Sequence, residues 1–176
     1  MKGIYLASYK ALHPKHNIVY QDINGERDLD GDMMNIDLSG YDFIIATPPC
    51  NWWSRANWRR ETSEYSLKTK HLLIDILHKL IELGKPFIVE NVKNSKQFAL
   101  HGLFELPSCI VKIIGRHTYW TNVDFYTDDI IQKPKVEIRE GKRIWLSSQH
   151  LPRNKRQGGE EVHQVIERWL ETIDEY

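Results

Sequence analysis

Two consecutive prolines set the tightest local constraint in this chain. Pro48 and Pro49 close an apolar run, Tyr41–Thr47 (YDFIIAT), that otherwise reads as a buried strand. Neither proline has an N–H to give to a ladder, so the strand must stop there and turn. Cys50, which follows, is thereby held in a rigid turn at a sheet edge. A second apolar run, Pro86–Val92 (PFIVENV), carries the polar pair Glu90-Asn91 near its C-terminal end. A third, His16–Ile23 (HNIVYQDI), ends in Asp22 before an Asn24-Gly25 turn, and Lys2–Ser8 (KGIYLAS) is a fourth strand candidate.

Residues 63–83 carry the clearest helical spacing, with Leu73, Ile76, Leu77, Leu80 and Ile81 on one face, Ser63 as N-cap and Gly84 at the end. Ile110–Ile114 and Trp120–Tyr126 read as a strand hairpin, and Ile144–Leu146 as a short strand. Residues 160–173 place Val162, Val165, Ile166, Trp169, Leu170 and Ile173 on one helical stripe. Residues 26–40 and 51–60 read as loops. The order strand, strand, strand, helix, strand predicts an α/β sheet, reduced in helices, in two or three layers. Ligands of such sheets sit beyond the C-terminal strand ends. Asp22, Cys50 and Glu90 all fall at such ends, so one rim is expected to gather them.

At 176 residues the chain is expected to form a single domain over 1–176. Its net charge is zero, so bulk electrostatics do not mark a nucleic-acid binder; the distribution says more. Residues 22–37 hold Asp22, Glu26, Asp28, Asp30, Asp32 and Asp37 against Arg27. Arg55, Arg59 and Arg60 lie in 51–60 without an acid, and Arg153, Lys155 and Arg156 follow later. Such a split suits a cationic cofactor and an anionic substrate, although solvated faces of a neutral protein would look alike. Two cysteines, Cys50 and Cys109, exclude a disulfide framework. No run is apolar enough to span a bilayer, so the expectation is a soluble, reduced, cytoplasmic protein with no membrane partner.

Cys50 is either a small buried hydrophobe or a nucleophile whose thiolate the neighbouring arginines would favour. Glu90, after Phe87-Ile88-Val89, is placed at a low-dielectric rim where a carboxyl group can hold and share a proton. Trp52, Trp53 and Trp58 form either an aromatic cluster under the loop or, with its arginines, a platform for bases and phosphates.

Together, the strand ending in Pro48-Pro49-Cys50 and the strand ending in Glu90-Asn91-Val92 resemble two signature motifs of the DNA cytosine-C5 methyltransferases. Further segments follow in that family's order. Asp22 resembles its acidic residue near the cofactor ribose, and Gly31-Asp32-Met33 its cofactor loop. Ser54 matches the serine closing the nucleophile loop, with Asn51 where the family has Gln. Gly115-Arg116-His117-Thr118-Tyr119-Trp120 resembles its arginine motif, with one arginine instead of two. Gln157-Gly158-Gly159 resembles its closing motif, without the usual Asn.

The resemblance implies a Rossmann-like methyltransferase sheet and S-adenosylmethionine as cofactor, bound through Tyr5, Ser8, Asp22, Asp32, Met33 and Pro48. It implies Cys50, Glu90 and Arg116 as catalytic residues, with Trp53, Ser54, Arg55 and Asn91 at the substrate, which is DNA or a cytosine nucleotide. Cys50 would add to C6 of cytosine, Glu90 would neutralise N3, and Arg116 would steady Glu90 or the O2 edge. No metal is implied.

Two departures shape what such a protein could do. The glycine-rich turn of the family's first motif is replaced by Ala7-Ser8-Tyr9-Lys10, which removes the close backbone approach that glycine permits. Only 34 residues, 123–156, stand where the family has a target-recognition domain. This short basic insert carries Arg139, Lys142, Arg143, Arg153, Lys155 and Arg156, and points to a small, phage-like member. Specificity would then come from a partner protein, and a homodimer could complete the site. The competing readings are a non-catalytic remnant that binds nucleic acid or protein, and one-carbon modification of a free cytosine nucleotide.

Overall fold

The computed structural model describes residues 14–23, 28–128, 130, 136–139, 142–145 and 158–175, with backbone alone for 136–139, 142–145 and 158–160. Three elements open the described chain: strand β1 (Gln21–Asp22), strand β2 (Leu29–Asp30) and a single 3-10 turn over Met33–Asn35. Strand β3 (Ile44–Ala46) leads into helices α1 (Glu64–Thr69) and α2 (Leu72–Leu83), then strand β4 (Phe87–Val92). Helix α3 (Ser95–Leu100) precedes strands β5 (Ile110–Ile114) and β6 (His117–Thr121). The hairpin strands β7 (Val136–Arg139) and β8 (Lys142–Trp145) and helix α4 (Gly158–Glu175) complete the order.

The central sheet runs β3-β4-β6-β5, with β3 and β4 parallel and the other pairs antiparallel. Parallel neighbours need a crossover, and α1 and α2 supply it. β4 is buried along most of its length, which matches its unbroken Phe87-Ile88-Val89 run. Successive side chains alternate between faces, so Phe87 and Val89 join one core and Ile88 the other. The first core also takes Leu73, Ile76, Leu77 and Leu80 of α2, Phe98 of α3, and Trp120. The second takes Tyr119 and Ile114 with Val165, Ile166, Trp169 and Leu170 of α4. Helices thus cover both faces: the fold is mixed α/β in three layers.

The predicted helix over 63–83 is in fact two helices. Ser63 does cap the first, its hydroxyl accepting from the Ser66 N–H, and Gly84 ends the second in a left-handed conformation (φ 70°). The break falls at Lys70-His71, because no apolar stripe extends through α1 to hold one straight axis. The strand over 16–23 contracts to Gln21–Asp22, paired with a β2 that lies inside the expected loop. The strand at 120–126 begins earlier, at His117, so the hairpin turn is Gly115-Arg116. The strand at 144–146 is Lys142–Trp145, paired with β7, so the described part of the basic insert is a hairpin. Residues 2–8, the Asn24-Gly25 turn and Arg153, Lys155 and Arg156 lie outside the described residues. Among the described residues no helix is long and apolar enough to cross a membrane.

Candidate active site

β3 and β4 are in parallel register with Ala46 beside Val89. Their C-terminal ends therefore open on the same rim, Pro48-Pro49-Cys50 from one and Glu90 from the next. Between the two strands lies Asn91, buried, whose Nδ2 donates to the Pro48 carbonyl (3.1 Å). That bond matters because Pro48 has left the ladder and its carbonyl would otherwise lack a partner. Asn91 thus holds the Pro48-Pro49-Cys50 turn from beneath.

The loop after Cys50 is wound, not irregular. The Ser54 N–H donates to the Cys50 carbonyl (2.8 Å). Asn57 Nδ2 reaches the Asn51 carbonyl (2.9 Å) and Ser66 Oγ (3.1 Å), tying the loop to α1. Asn94 Nδ2 donates to the Trp53 carbonyl. Trp53 is 1% exposed and packs on Phe98 and His101, so its ring belongs to the core. Trp58 is the contrary case: it is 80% exposed, with the Arg59 guanidinium 4.4 Å above its ring. Lys70 lies over Trp52 at 5.8 Å, and Arg55 is exposed beside Ser54.

Cys50 is half-buried, and burial raises its thiol above the usual range, with a second upward push from the Glu90 charge. Glu90 is raised as well, first by burial and then by Glu161, against a downward pull from His117. The basic side chain beside Glu90 is His117, whose Nε2 lies 3.8 Å from Glu90 Oε1. Sheet geometry explains this. Glu90 pairs with Tyr119 and Val92 with His117, so His117 is the diagonal neighbour of Glu90 on the same face. Arg116 sits in the turn with its side chain exposed; its N–H donates to Glu161 and its carbonyl accepts from Lys93. The structure thus brings His117, one position after Arg116, beside Glu90, and Glu161 of α4 lies 3.1 Å from His117 Nδ1. Sequence reasoning missed both, because nothing local to α4 signals that its first described acid meets a turn 45 residues away.

The acidic end is also organised. The Gly31 N–H donates to the Asp22 carbonyl, and the Gln21 amide returns to the Gly31 carbonyl. Asp32 caps the 3-10 turn, its carboxylate accepting from the Met34 N–H (3.0 Å). Lys79 of α2 donates to the carbonyls of Met33 (2.8 Å), Met34 (3.0 Å) and Ile36 (2.7 Å). An ammonium has three protons, and all three are placed. Met33 packs at the edge of the core. Gly31 has φ 120° and, among the described residues, nothing within 4 Å of where a Cβ would stand, so a ligand could approach its backbone where a side chain could not stand without strain. These residues fit a nucleoside-bearing cofactor: Asp22 at the strand end and the half-buried Gly31 backbone would hold it, and the Asp32 carboxylate shapes the turn beside them. Tyr5 and Ser8 lie outside the described residues. Among the described residues no group of three or more His, Cys, Asp and Glu could hold a metal ion.

A segment of the chain is 33% identical over 87 residues to a protein described as "Type II methyltransferase M1.HgaI" from Avibacterium volantium. The match covers 48% of this chain and 24% of that protein, so the chain spans about a quarter of the length of the curated relative it matches. No family model and no solved structure matches it.

Proposed function

We propose that the chain is an S-adenosylmethionine-dependent DNA methyltransferase acting on C5 of cytosine, built on a Rossmann-like sheet. The observation that carries this reading is the placement of Cys50 and Glu90 at the ends of adjacent parallel strands, close enough that the charge of one perturbs the other. The similarity to a type II methyltransferase supports the reaction class.

The chemistry follows from the residues. The Cys50 thiolate adds to C6, forming a C–S bond and moving electron density to N3. Glu90, in its protonated form, gives N3 a proton, and C5 becomes nucleophilic. When bound, S-adenosylmethionine would supply the methyl group, its S–CH3 bond breaking as the C5–CH3 bond forms and S-adenosylhomocysteine leaving. A base then removes the C5 proton, the C–S bond breaks, and N3 returns its proton to Glu90.

Burial favours Glu90 as an acid and disfavours Cys50 as a thiolate. The two effects are coupled: protonating Glu90 removes the second cause that raises Cys50. A proton moved from Cys50 to Glu90 thus yields the reactive pair while adding no charge to the rim. Trp58 and Arg59, exposed together beside this rim, suit stacking and phosphate contact with a base drawn out of its strand.

The test is incubation with DNA containing 5-fluorocytosine, followed by intact mass. Fluorine cannot leave as a proton does, so a methylating enzyme stays attached after transfer. An adduct that needs S-adenosylmethionine and disappears in Cys50→Ala is the expected result. Without an adduct on single-stranded or duplex DNA the DNA reading fails, and the same assay on fluorinated cytosine nucleotides tests the nucleotide reading.

A further inference from the structure

We propose that His117, oriented by Glu161, is the positioning residue that balances the charge of Glu90 and keeps its proton within reach of a bound base. The proposal rests on the reading of Glu90 as the partner of that base.

The β5–β6 turn is shaped around one carboxylate. Glu161 accepts from the Arg116 N–H (3.3 Å) and lies 3.1 Å from His117 Nδ1. Gly115, at φ 52°, makes the room: a Cβ there would fall 1.9 Å from Glu161 Oε2. Three consecutive residues, Gly115, Arg116 and His117, thus contribute space, a backbone donor and a ring to the same acid. The Nδ1 contact with Glu161, 12% exposed, sets the orientation of a ring that is itself only 15% exposed.

That orientation has a chemical consequence. A carboxylate on Nδ1 keeps a proton on that nitrogen and turns Nε2 towards Glu90. Nε2 faces Glu90 at 3.8 Å, too far for a direct hydrogen bond and close enough for charge to act. The groups facing Glu90 are Cys50 from the β3 loop, His117 and Tyr119 from β6, and Glu161 from α4. His117 draws Glu90 towards its ionised form, and Glu161 opposes this. The acid on α4 therefore tempers the histidine, holding Glu90 able to give a proton and to take it back.

Two measurements on the full chain test this without requiring turnover. Nitrogen-15 NMR of the neutral His117 ring should show the Nδ1–H tautomer; the Nε2–H tautomer would overturn the proposal. Carboxyl carbon-13 titration of Glu90 should move upward in His117→Gln and downward in Glu161→Gln, each by about half a pH unit or more. Gly115→Ala, which displaces the Glu161 carboxylate while retaining it, should move Glu90 in the same direction as Glu161→Gln. A Glu90 titration unchanged in folded variants would refute the proposal. The pH dependence of adduct formation should follow these shifts, its alkaline limb rising in His117→Gln and falling in Glu161→Gln. Shifts in the NMR titrations with no adduct in the parent protein would leave the cluster standing and remove the cytosine chemistry.

Discussion

Lys79→Met is the most informative single substitution in the scaffold. Methionine keeps most of the apolar stem packed on α2 and removes only the ammonium, which donates to the carbonyls of Met33, Met34 and Ile36. A hydrogen bond involving a charged group contributes about 1.5–3 kcal/mol. The three here share one donor head, and the turn they hold is only half-buried, so water recovers part of the loss. The net cost should be about 2–4 kcal/mol, or roughly 5–12 °C in Tm for a chain of this size. Lys79→Arg should not restore it, since a planar guanidinium fork cannot point three protons at carbonyls converging on one centre. Hydrogen exchange should accelerate at the Met34 and Asn35 amides, which are bonded only within this turn. If the turn borders the cofactor, affinity for S-adenosylmethionine should fall by about tenfold, equivalent to some 1.4 kcal/mol of lost preorganisation. Thermal denaturation and amide exchange read these effects directly. A Tm within about 1 °C of the parent, with exchange at Met34 and Asn35 unchanged, would show that the three bonds merely replace equivalent bonds to water.

Four further outcomes are expected. Leu77→Ala empties a fully buried site between α2 and the sheet and should cost about 2–5 kcal/mol by chemical denaturation. Trp53→Ala and Trp58→Ala should separate cleanly. The first should destabilise the fold by about 3–5 kcal/mol. The second should change stability by less than about 0.5 kcal/mol while weakening single-stranded DNA binding by about 1–3 kcal/mol in a fluorescence titration. Glu90→Gln removes a charge that raises the Cys50 thiol, so alkylation by iodoacetamide near pH 8 should quicken roughly two- to fivefold. The pH dependence of stability carries the opposite sign from a salt-bridged acid. Glu90 is raised from 4.5 in the fold, so its favourable contribution is complete below that value and is lost as pH rises through the raised one. Glu90→Gln should flatten this decline in denaturation curves measured from pH 4 upward.

The parts of this architecture that were legible in the sequence are those fixed by short-range physics. Pro48-Pro49 had to end β3, Gly84 had to end α2, and Phe87-Ile88-Val89 had to be buried on both faces. Cys50 and Glu90 follow adjacent parallel strands as the strand order predicts, whereas Asp22, expected on the same rim, ends a strand of a separate two-stranded sheet among the described residues. What escaped depends on residues far apart meeting. The apolar spacing of α2 was read back through Lys70-His71 because the same period can be fitted to α1, yet the facing core does not extend that far. Trp53 and Trp58 look alike in a loop, and only the position of Phe98 decides that the first is core. Arg116 has the right chemistry for Glu90 but lies in the β5–β6 turn, and the ladder position diagonal to Glu90 is occupied by His117. A partner for Glu90 had to be read from the β4–β6 register, which no local motif encodes.

The loops of the site share one mode of attachment, and it explains why a rim this short in regular structure can be ordered. Several loop carbonyls at the ends of the sheet are met by a side-chain donor from elsewhere in the chain. Asn91 reaches Pro48, Asn94 reaches Trp53, Asn57 reaches Asn51, and Lys79 reaches the turn at 33–36. Asn122 does the same at the opposite end of β4, donating to the Lys85 carbonyl and accepting from Phe87 N–H. These residues fix backbone, so their removal loosens a loop and leaves every reactive side chain present. Asn91 and Glu90, adjacent in sequence, therefore divide one strand end between two tasks. The acid lies on the face towards α4, while the amide faces the other core and holds the turn that carries Cys50. Asn91→Asp would separate these tasks, because a carboxylate has no N–H to give the Pro48 carbonyl and would set two acceptors against each other. Cys50 alkylation should then become heterogeneous in rate, as the turn samples several conformations, while the tautomer of His117 on the far face stays as it is. An altered His117 tautomer with uniform alkylation would reverse the assignment of the two faces.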